Sequence, residues 1–349
     1  MNDRTAPTRA RENHGLHAMA AFAMVVVSML MFSVQAPAAE EPRAERPRPE
    51  VTVDALSVVK VRATAVANAR SAATLGQQRE GTGVVIDAKG LVMTIGYLIS
   101  EAEKVELSTA DGKVFPATVI GQDHATGLGL VRALTPLPVK PVDFGQSSAI
   151  AERELVLIVG FDGVAPAYIV SKRPFVGYWE YLLDEAIYTA PATVNWQGAA
   201  LLSRQGKLLG IGSLVVGDAM GKHTNVPGNM FVPIDVLKPV LGDFIANGRS
   251  TAKSRPWIGI NTQEVQGNVI VTRVSPESPA EAAGFKAGDV IVGIRGQEIK
   301  GQADFYSKLW ESGAAGVEVA IDVLKGNRIL NQNVKTVDRE QYLRHKTVY

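Results

Sequence analysis

Apolar residues between positions 57 and 247 fall in short runs separated by turn residues, a pattern of many strands and few helices. The runs are 58–61, 82–87, 91–94, 104–108, 114–120, 155–159, 168–170, 209–216 and 230–233. Ala88-Lys89-Gly90 separates the second from the third, and Asp111-Gly112 before the fifth is a strong hairpin signal. A further pair, 199–202 and 208–211, is joined by the polar turn Ser203-Arg204-Gln205-Gly206. Close strand spacing with Gly-rich corners predicts an all-β barrel or sandwich, and periodicity alone leaves the two open.

The pattern changes after residue 247. Residues 248–254 are small, polar and basic, the composition of a linker. Beyond them strands are predicted at 257–261, 268–274, 290–295 and 317–324, with a short helix at 279–283. A second helix at 302–310 sets Phe305, Leu309 and Trp310 at helical spacing. The tail, 339–349, is polar and basic and reads as a short helix or a frayed end.

The N-terminus carries a different signal. Arg4, Arg9 and Arg11 precede an apolar run at 18–34, and Ala36-Pro37-Ala38 follows with small residues at cleavage-site spacing. That order predicts a secretory signal over 1–38. The run is near the lower length limit for spanning a bilayer, so an uncleaved anchor helix in the inner membrane stays open. Under either reading the rest of the chain is expected outside the cytoplasm, in a periplasm. Residues 39–50, dense in Pro and alternating charge, read as a solvated tether.

With 349 residues the chain is long enough for two or three domains with real cores. Lys and Arg number 36 against 35 Asp and Glu, a net charge of +1 with no long block of one sign, which gives no argument for nucleic acid. The absence of cysteine excludes disulfides, thiolate catalysis and Cys-based zinc sites. No G-x-S-x-G or H-E-x-x-H pattern occurs, no spaced Asp/His ligand set for a metal is evident, and no cofactor is expected. His124 and His223 read as loop histidines, and Ser147, Ser148, Ser203 and Ser213 as turn and strand residues. Asp184-Glu185 reads as a solvated acidic pair.

Four motifs occur in one order. They are GTGVVIDAKGLVMT at 81–94, DGKVFPATVIGQD at 111–123, GQSSAIAERELVLIVGF at 145–161 and NVPGNMFVPIDVLKPVL at 225–241. With APATVNWQGAALLSRQGKLLGI at 190–211, they resemble the protease domain of the HtrA/Deg family of chymotrypsin-like proteases. The resemblance implies a mainly β fold over 51–247, two six-stranded β-barrels with an active-site cleft between them. It also places the catalytic positions. Tyr97 falls where the family has histidine, in T-N-x-H-V-V, and Gly127 where it has aspartate, in D-x-x-T-D-L-A-V. Gln197 falls where it has the nucleophilic serine.

Serine catalysis needs a nucleophile, a base to take its proton and a carboxylate to orient that base. None of Tyr97, Gly127 and Gln197 does the corresponding job. The oxyanion turn is altered as well, with Asn195-Trp196-Gln197 for Gly-Asn-Ser and Gly198-Ala199-Ala200 for Gly-Gly-Pro. The expectation is a protease fold without its chemistry. Tyr178, Trp179, Tyr181 and Trp196 leave two readings open, an aromatic binding surface or bulky side chains that plug an unused cleft.

The second region, 255–338, carries Ser278-Pro279-Ala280, Ala283-Gly284-Phe285 and Gly288-Asp289-Val290-Ile291. These closely resemble a circularly permuted, bacterial PDZ domain of the HtrA type. Such domains hold a chain-terminal carboxylate on the backbone N–H groups of an x-Φ-G-Φ loop and pair the incoming peptide with the following strand. The resemblance makes Trp257, Ile258, Gly259 and Ile260 that loop, with Phe305 and Leu309 lining the side-chain pocket. An empty groove serving only for docking is the competing reading.

The function expected is that of an exported, non-catalytic HtrA-like protein. It would bind proteins or peptides with free apolar C-termini, as a chaperone, a scaffold or a modulator of envelope protein quality control. An active serine endopeptidase of the HtrA/Deg type, and an assembly subunit of an envelope complex, are the alternatives. A homo-oligomer and a mixed oligomer with an active relative are both compatible with the family; residues 51–80 show no pattern that ties them to trimerisation.

Overall fold

The computed structural model describes residues 56–344. The predicted signal segment and tether, and the last residues of the tail, lie outside the described residues. Among the described residues no helix is long and apolar enough to cross a membrane.

The first six strands close into a barrel: β1 (Val58–Ala65), β2 (Gln78–Val85), β3 (Leu91–Ile95), β4 (Ala102–Ser108), β5 (Val114–Gln122) and β6 (Leu128–Ala133). Their order is β1-β2-β3-β6-β5-β4, and β1 closes the circle by pairing with both β2 and β4. Closure is paid for by the filled interior: Val59, Val61, Val85, Met93, Leu107 and Leu130 are fully buried, each contributing about 1.5–3 kcal/mol. Two short helices, α1 (Ala72–Leu75) and α2 (Gly96–Ile99), interrupt the strands. The second carries Tyr97. Strand β6 was not among the predicted runs, because its apolar stretch follows a turn glycine without clean alternation and every residue except Arg132 is buried.

The second barrel has the same closed six-strand plan: β7 (Leu155–Gly160), β8 (Gly163–Gly177), β9 (Tyr181–Ala190), β10 (Ala200–Leu202), β11 (Leu208–Val216) and β12 (Gly228–Pro233). Here β10 pairs with both β11 and β7. The predicted hairpin of 199–202 and 208–211 is therefore the β10–β11 pair. The run at 168–170 is only a fragment of a much longer hairpin, β8 with β9, in register up to Gly177 opposite Tyr181. The register shifts between Ile169 and Ser171 and between Arg173 and Phe175, and Pro174 sits at the second bulge. Its tip is Tyr178-Trp179-Glu180.

After α3 (Leu241–Asn247) the chain enters a second kind of domain. Strands β13 (Ile260–Val265), β14 (Asn268–Val274), β15 (Val290–Ile294), β16 (Gln297–Glu298), β17 (Glu318–Lys325) and β18 (Arg328–Lys335) form one antiparallel sheet, ordered β13-β14-β15-β17-β18 with β16 on β15. Helix α4 (Pro279–Ala282) starts at Ser278, whose side chain accepts from the Glu281 amide, with Pro279 in the first turn. Helix α5 (Gln302–Glu311) covers the sheet and buries Phe305, Tyr306 and Leu309. Strand β18 escaped prediction because most of it is exposed, including Ile329 and Leu330. The tail forms α6 (Arg339–Tyr342), capped by Asp338.

Candidate functional site

The three positions expected to correspond to a catalytic triad come together where the two barrels meet. Helix α2 starts where the amide of Gly96 donates to the Gly127 carbonyl at 2.7 Å, so Tyr97 stands beside Gly127. The Tyr97 phenol hydrogen-bonds the Gln197 amide side chain and donates to the Ser213 carbonyl at 3.0 Å. Burial holds its pKa far above the ordinary phenol value, so it stays neutral and its proton is committed to Ser213. At Gly127 the backbone has φ 79°, and a Cβ there would lie 2.9 Å from the Tyr181 hydroxyl. That hydroxyl donates to the Thr126 carbonyl at 2.5 Å. A buried tyrosine from the second barrel thus fills the space a side chain at 127 would need.

The turn around Gln197 is tied down by its backbone. Gln197 accepts from the Thr82 amide at 2.8 Å, Gly198 donates to Gly212 at 2.9 Å, and Ala199 donates to Trp196 at 3.1 Å. The Asn195 amide, two residues before Gln197, is turned onto Thr193 Oγ1 at 3.3 Å. His124 pairs through Nε2 with Glu340 of the tail at 2.7 Å, and His223 lies in an exposed loop at φ 65°. Tyr97 has no ring nitrogen to take a proton and Gln197 no hydroxyl or thiol to attack with; what these two side chains offer is hydrogen bonding and packing.

The loop Trp257-Ile258-Gly259-Ile260 leads into β13, and its shape is fixed from below. Gly259 accepts from Ser275 at 2.8 Å, and Ile258 accepts from Ala280 at 2.8 Å. Gly259 has φ 91°, and a Cβ there would meet the Ser278 Cβ at 2.4 Å, so only glycine fits. The loop therefore aims three amides into one spot, and a carboxyl group occupies it. Glu180, at the tip of the β8–β9 hairpin, accepts from Ile258 N at 3.0 Å, Gly259 N at 2.7 Å and Ile260 N at 3.0 Å. Burial pushes the Glu180 carboxyl up to about 7, opposed by those three donors and by the Arg339 charge.

The rest of the hairpin tip lies along the same groove. Thr262 N of β13 donates to the Tyr178 carbonyl at 2.8 Å. On the other wall, Tyr306 of α5 donates to the Gly177 carbonyl at 3.1 Å and Gln302 Nε2 donates to it at 3.3 Å. Phe305 and Leu309, expected to line a pocket, are fully buried within the domain's core.

Residues 81–211 match the model of the trypsin-like peptidase domain, and residues 256–336 match that of the PDZ domain. The chain thus joins a trypsin-like peptidase domain to a PDZ domain, and its relatives are HtrA-type proteases. It is 28% identical to the periplasmic pH-dependent serine endoprotease DegQ of Escherichia coli strain K12, over 73% of this chain and 58% of that protein. It is 23% identical to the serine protease Do-like HtrA of Bacillus subtilis strain 168, over 75% of this chain and 64% of that protein. The chain thus spans about six-tenths of the length of these relatives. An HtrA-type protease solved with a tripeptide superposes with a TM-score of 0.50 at 20% identity, covering 83% of this chain and 94% of that one, which supports the fold.

At the expected triad positions and at the expected PDZ loop, sequence reasoning missed the side chains that pack there. Tyr181 was noted only as one of several aromatics; in the structure it stacks on Trp179 at 5.5 Å and packs against Phe175 at 6.0 Å. Glu180, Gln302, Tyr306 and Arg339 were not singled out. The one available signal was an acidic residue in an aromatic tip, which without the hairpin register pointed nowhere.

Proposed function

We propose that this chain is an exported, non-catalytic HtrA-like protein that binds proteins or peptides, acting as a chaperone, scaffold or modulator in envelope protein quality control. The observation that carries this reading is the contact between Tyr97 and Gln197: a neutral phenol and an amide meet where a base and a nucleophile would have to meet. The PDZ loop supplies the binding chemistry, three converging amides beside a strand edge at Thr262. The periplasmic names of relatives such as DegQ favour export, in agreement with the charged–apolar–small order of residues 1–38.

The competing reading, a serine endopeptidase, is favoured by the protease names of those relatives. Treating the purified chain with a fluorophosphonate probe and with labelled casein separates the two. The expected result is no labelling and no hydrolysis under conditions where an active relative gives both. Covalent labelling at any serine, lost when that serine is replaced, would overturn the proposal.

A further inference from the structure

The PDZ groove already contains a ligand, and it is part of the same chain. The tip of the β8–β9 hairpin meets every element a bound peptide would meet. Its carboxyl group takes the three loop amides of Ile258, Gly259 and Ile260. Its Tyr178 carbonyl takes the next free strand donor, Thr262 N. Glu180 thus stands opposite Ile260 and Tyr178 opposite Thr262, so the tip runs antiparallel to β13 with its acidic end at the loop. Gly177 and Glu180 are buried while Tyr178 is 58% exposed and Trp179 lies between, so the tip is seated at its two ends and turns its middle outward.

A second observation is independent of these contacts. Glu180 has φ 56°, the left-handed conformation that a three-residue hairpin turn demands at its last position. Glycine is the default residue there, and a side chain in this conformation is strained. The turn alone has no use for the side chain; the loop amides do. Buried strain of this kind marks a site that the surroundings hold in place.

We propose that the β8–β9 hairpin is the resting occupant of the PDZ groove, with the Glu180 carboxyl in the seat of a peptide's terminal carboxylate. A peptide with a free C-terminus then binds only to molecules whose hairpin tip has left the groove. The inference deepens the proposed function and rests on its reading of the groove as a peptide site. Ligand binding and domain release become one equilibrium: apparent affinity is the intrinsic affinity reduced by the fraction of open molecules.

The test uses the chain from residue 39 onward, as wild type and as Glu180→Gly. Glycine suits φ 56° and keeps the turn while removing the carboxyl. Glu180→Gln serves as a second variant that keeps the side-chain shape. Hydrogen exchange of the amides of Ile258, Gly259 and Ile260 is expected to rise at least tenfold in Glu180→Gly and less in Glu180→Gln. Anisotropy with a fluorescent decapeptide pool of random interior and free C-terminal Leu is expected to show at least tenfold tighter binding to Glu180→Gly than to wild type. Unchanged exchange in both variants overturns the proposal, and so does equal binding by wild type and Glu180→Gly. Raised exchange with no binding by any form leaves the hairpin as occupant and removes the peptide-binding reading instead.

Discussion

The hydroxyl of Tyr181 lies 2.9 Å from the point where a Cβ on Gly127 would stand. Tyr181 is 3% exposed, and its hydroxyl is anchored on the Thr126 carbonyl, so it does not yield without leaving a buried donor unpaired. The two residues have therefore divided one volume between them. A carboxylate at 127 needs space that the second barrel has taken, at a backbone conformation glycine favours.

The triple change Tyr97→His, Gly127→Asp and Gln197→Ser is expected to give no hydrolysis for this reason. Gly127→Asp alone should lower stability by about 1–3 kcal/mol through the left-handed backbone and the crowding of Tyr181. Denaturant melts measure the cost, and fluorogenic casein measures activity. Robust turnover by the triple variant would mean that Tyr181 moves aside and that the Gln197 turn still presents an oxyanion site.

The tail should hold the PDZ domain to the first barrel. The Tyr342 ring lies 4.5 Å from Trp257 of the loop and 4.1 Å from the Arg70 guanidinium, while its hydroxyl donates to the Pro276 carbonyl at 2.9 Å. Arg70 in turn pairs with Glu277 at 2.6 Å. Tyr342→Ala removes packing, a cation–π contact and a hydrogen bond, with an expected loss of about 2–3 kcal/mol. A midpoint unchanged in urea would show that the tail is ornamental.

Much of the architecture was legible because it rests on local patterns. Asp111-Gly112 sits between β4 and β5, and the run 268–274 is strand β14 from end to end. The β8–β9 hairpin was not legible. Its strands carry Pro166 and Pro174, two bulges break their alternation, and its turn has Glu180 where a glycine would have announced it. Tyr97, Gly127 and Gln197 were picked out by motif position alone, whereas Tyr181 reaches Gly127 across the barrel interface, a relation no sequence window contains. The Glu180 seat is harder still, since it joins elements about eighty residues apart.

Gly259→Val should dismantle that seat. The Cβ it adds meets Ser278 at 2.4 Å at φ 91°, so the loop must move and its three amides diverge. The expected cost is about 2–4 kcal/mol, with fast exchange at Ile258 and Ile260 and no peptide binding even when combined with Glu180→Gly. The core beneath, including Phe305 and Leu309, keeps the domain folded. Retained protection of the Ile260 amide would show that the loop tolerates the side chain.

The hairpin's hold on the groove should depend on pH, in a direction set by Glu180. Its carboxyl is pushed up to about 7 in the docked state by burial, whereas the ordinary value is 4.5. The groups facing it are Tyr306 on α5 and Arg339 on α6, the latter beside Glu340. Burial pushes Tyr306 to about 12, so it stays neutral throughout, and Arg339 stays cationic. The docked form therefore binds a proton that the released form gives up. Docking gains its full proton-linked stability below about 4.5 and loses it as pH rises through about 7. At 1.36 kcal/mol per pKa unit the full range is worth roughly 3 kcal/mol. A terminal carboxylate on an incoming peptide stays ionised across this window, so peptide affinity should rise by about tenfold or more between pH 5 and pH 8. Glu180→Gln should flatten that profile. Anisotropy titrations at several pH values make the comparison, and a wild-type profile as flat as that of Glu180→Gln would separate the Glu180 proton from the opening of the groove.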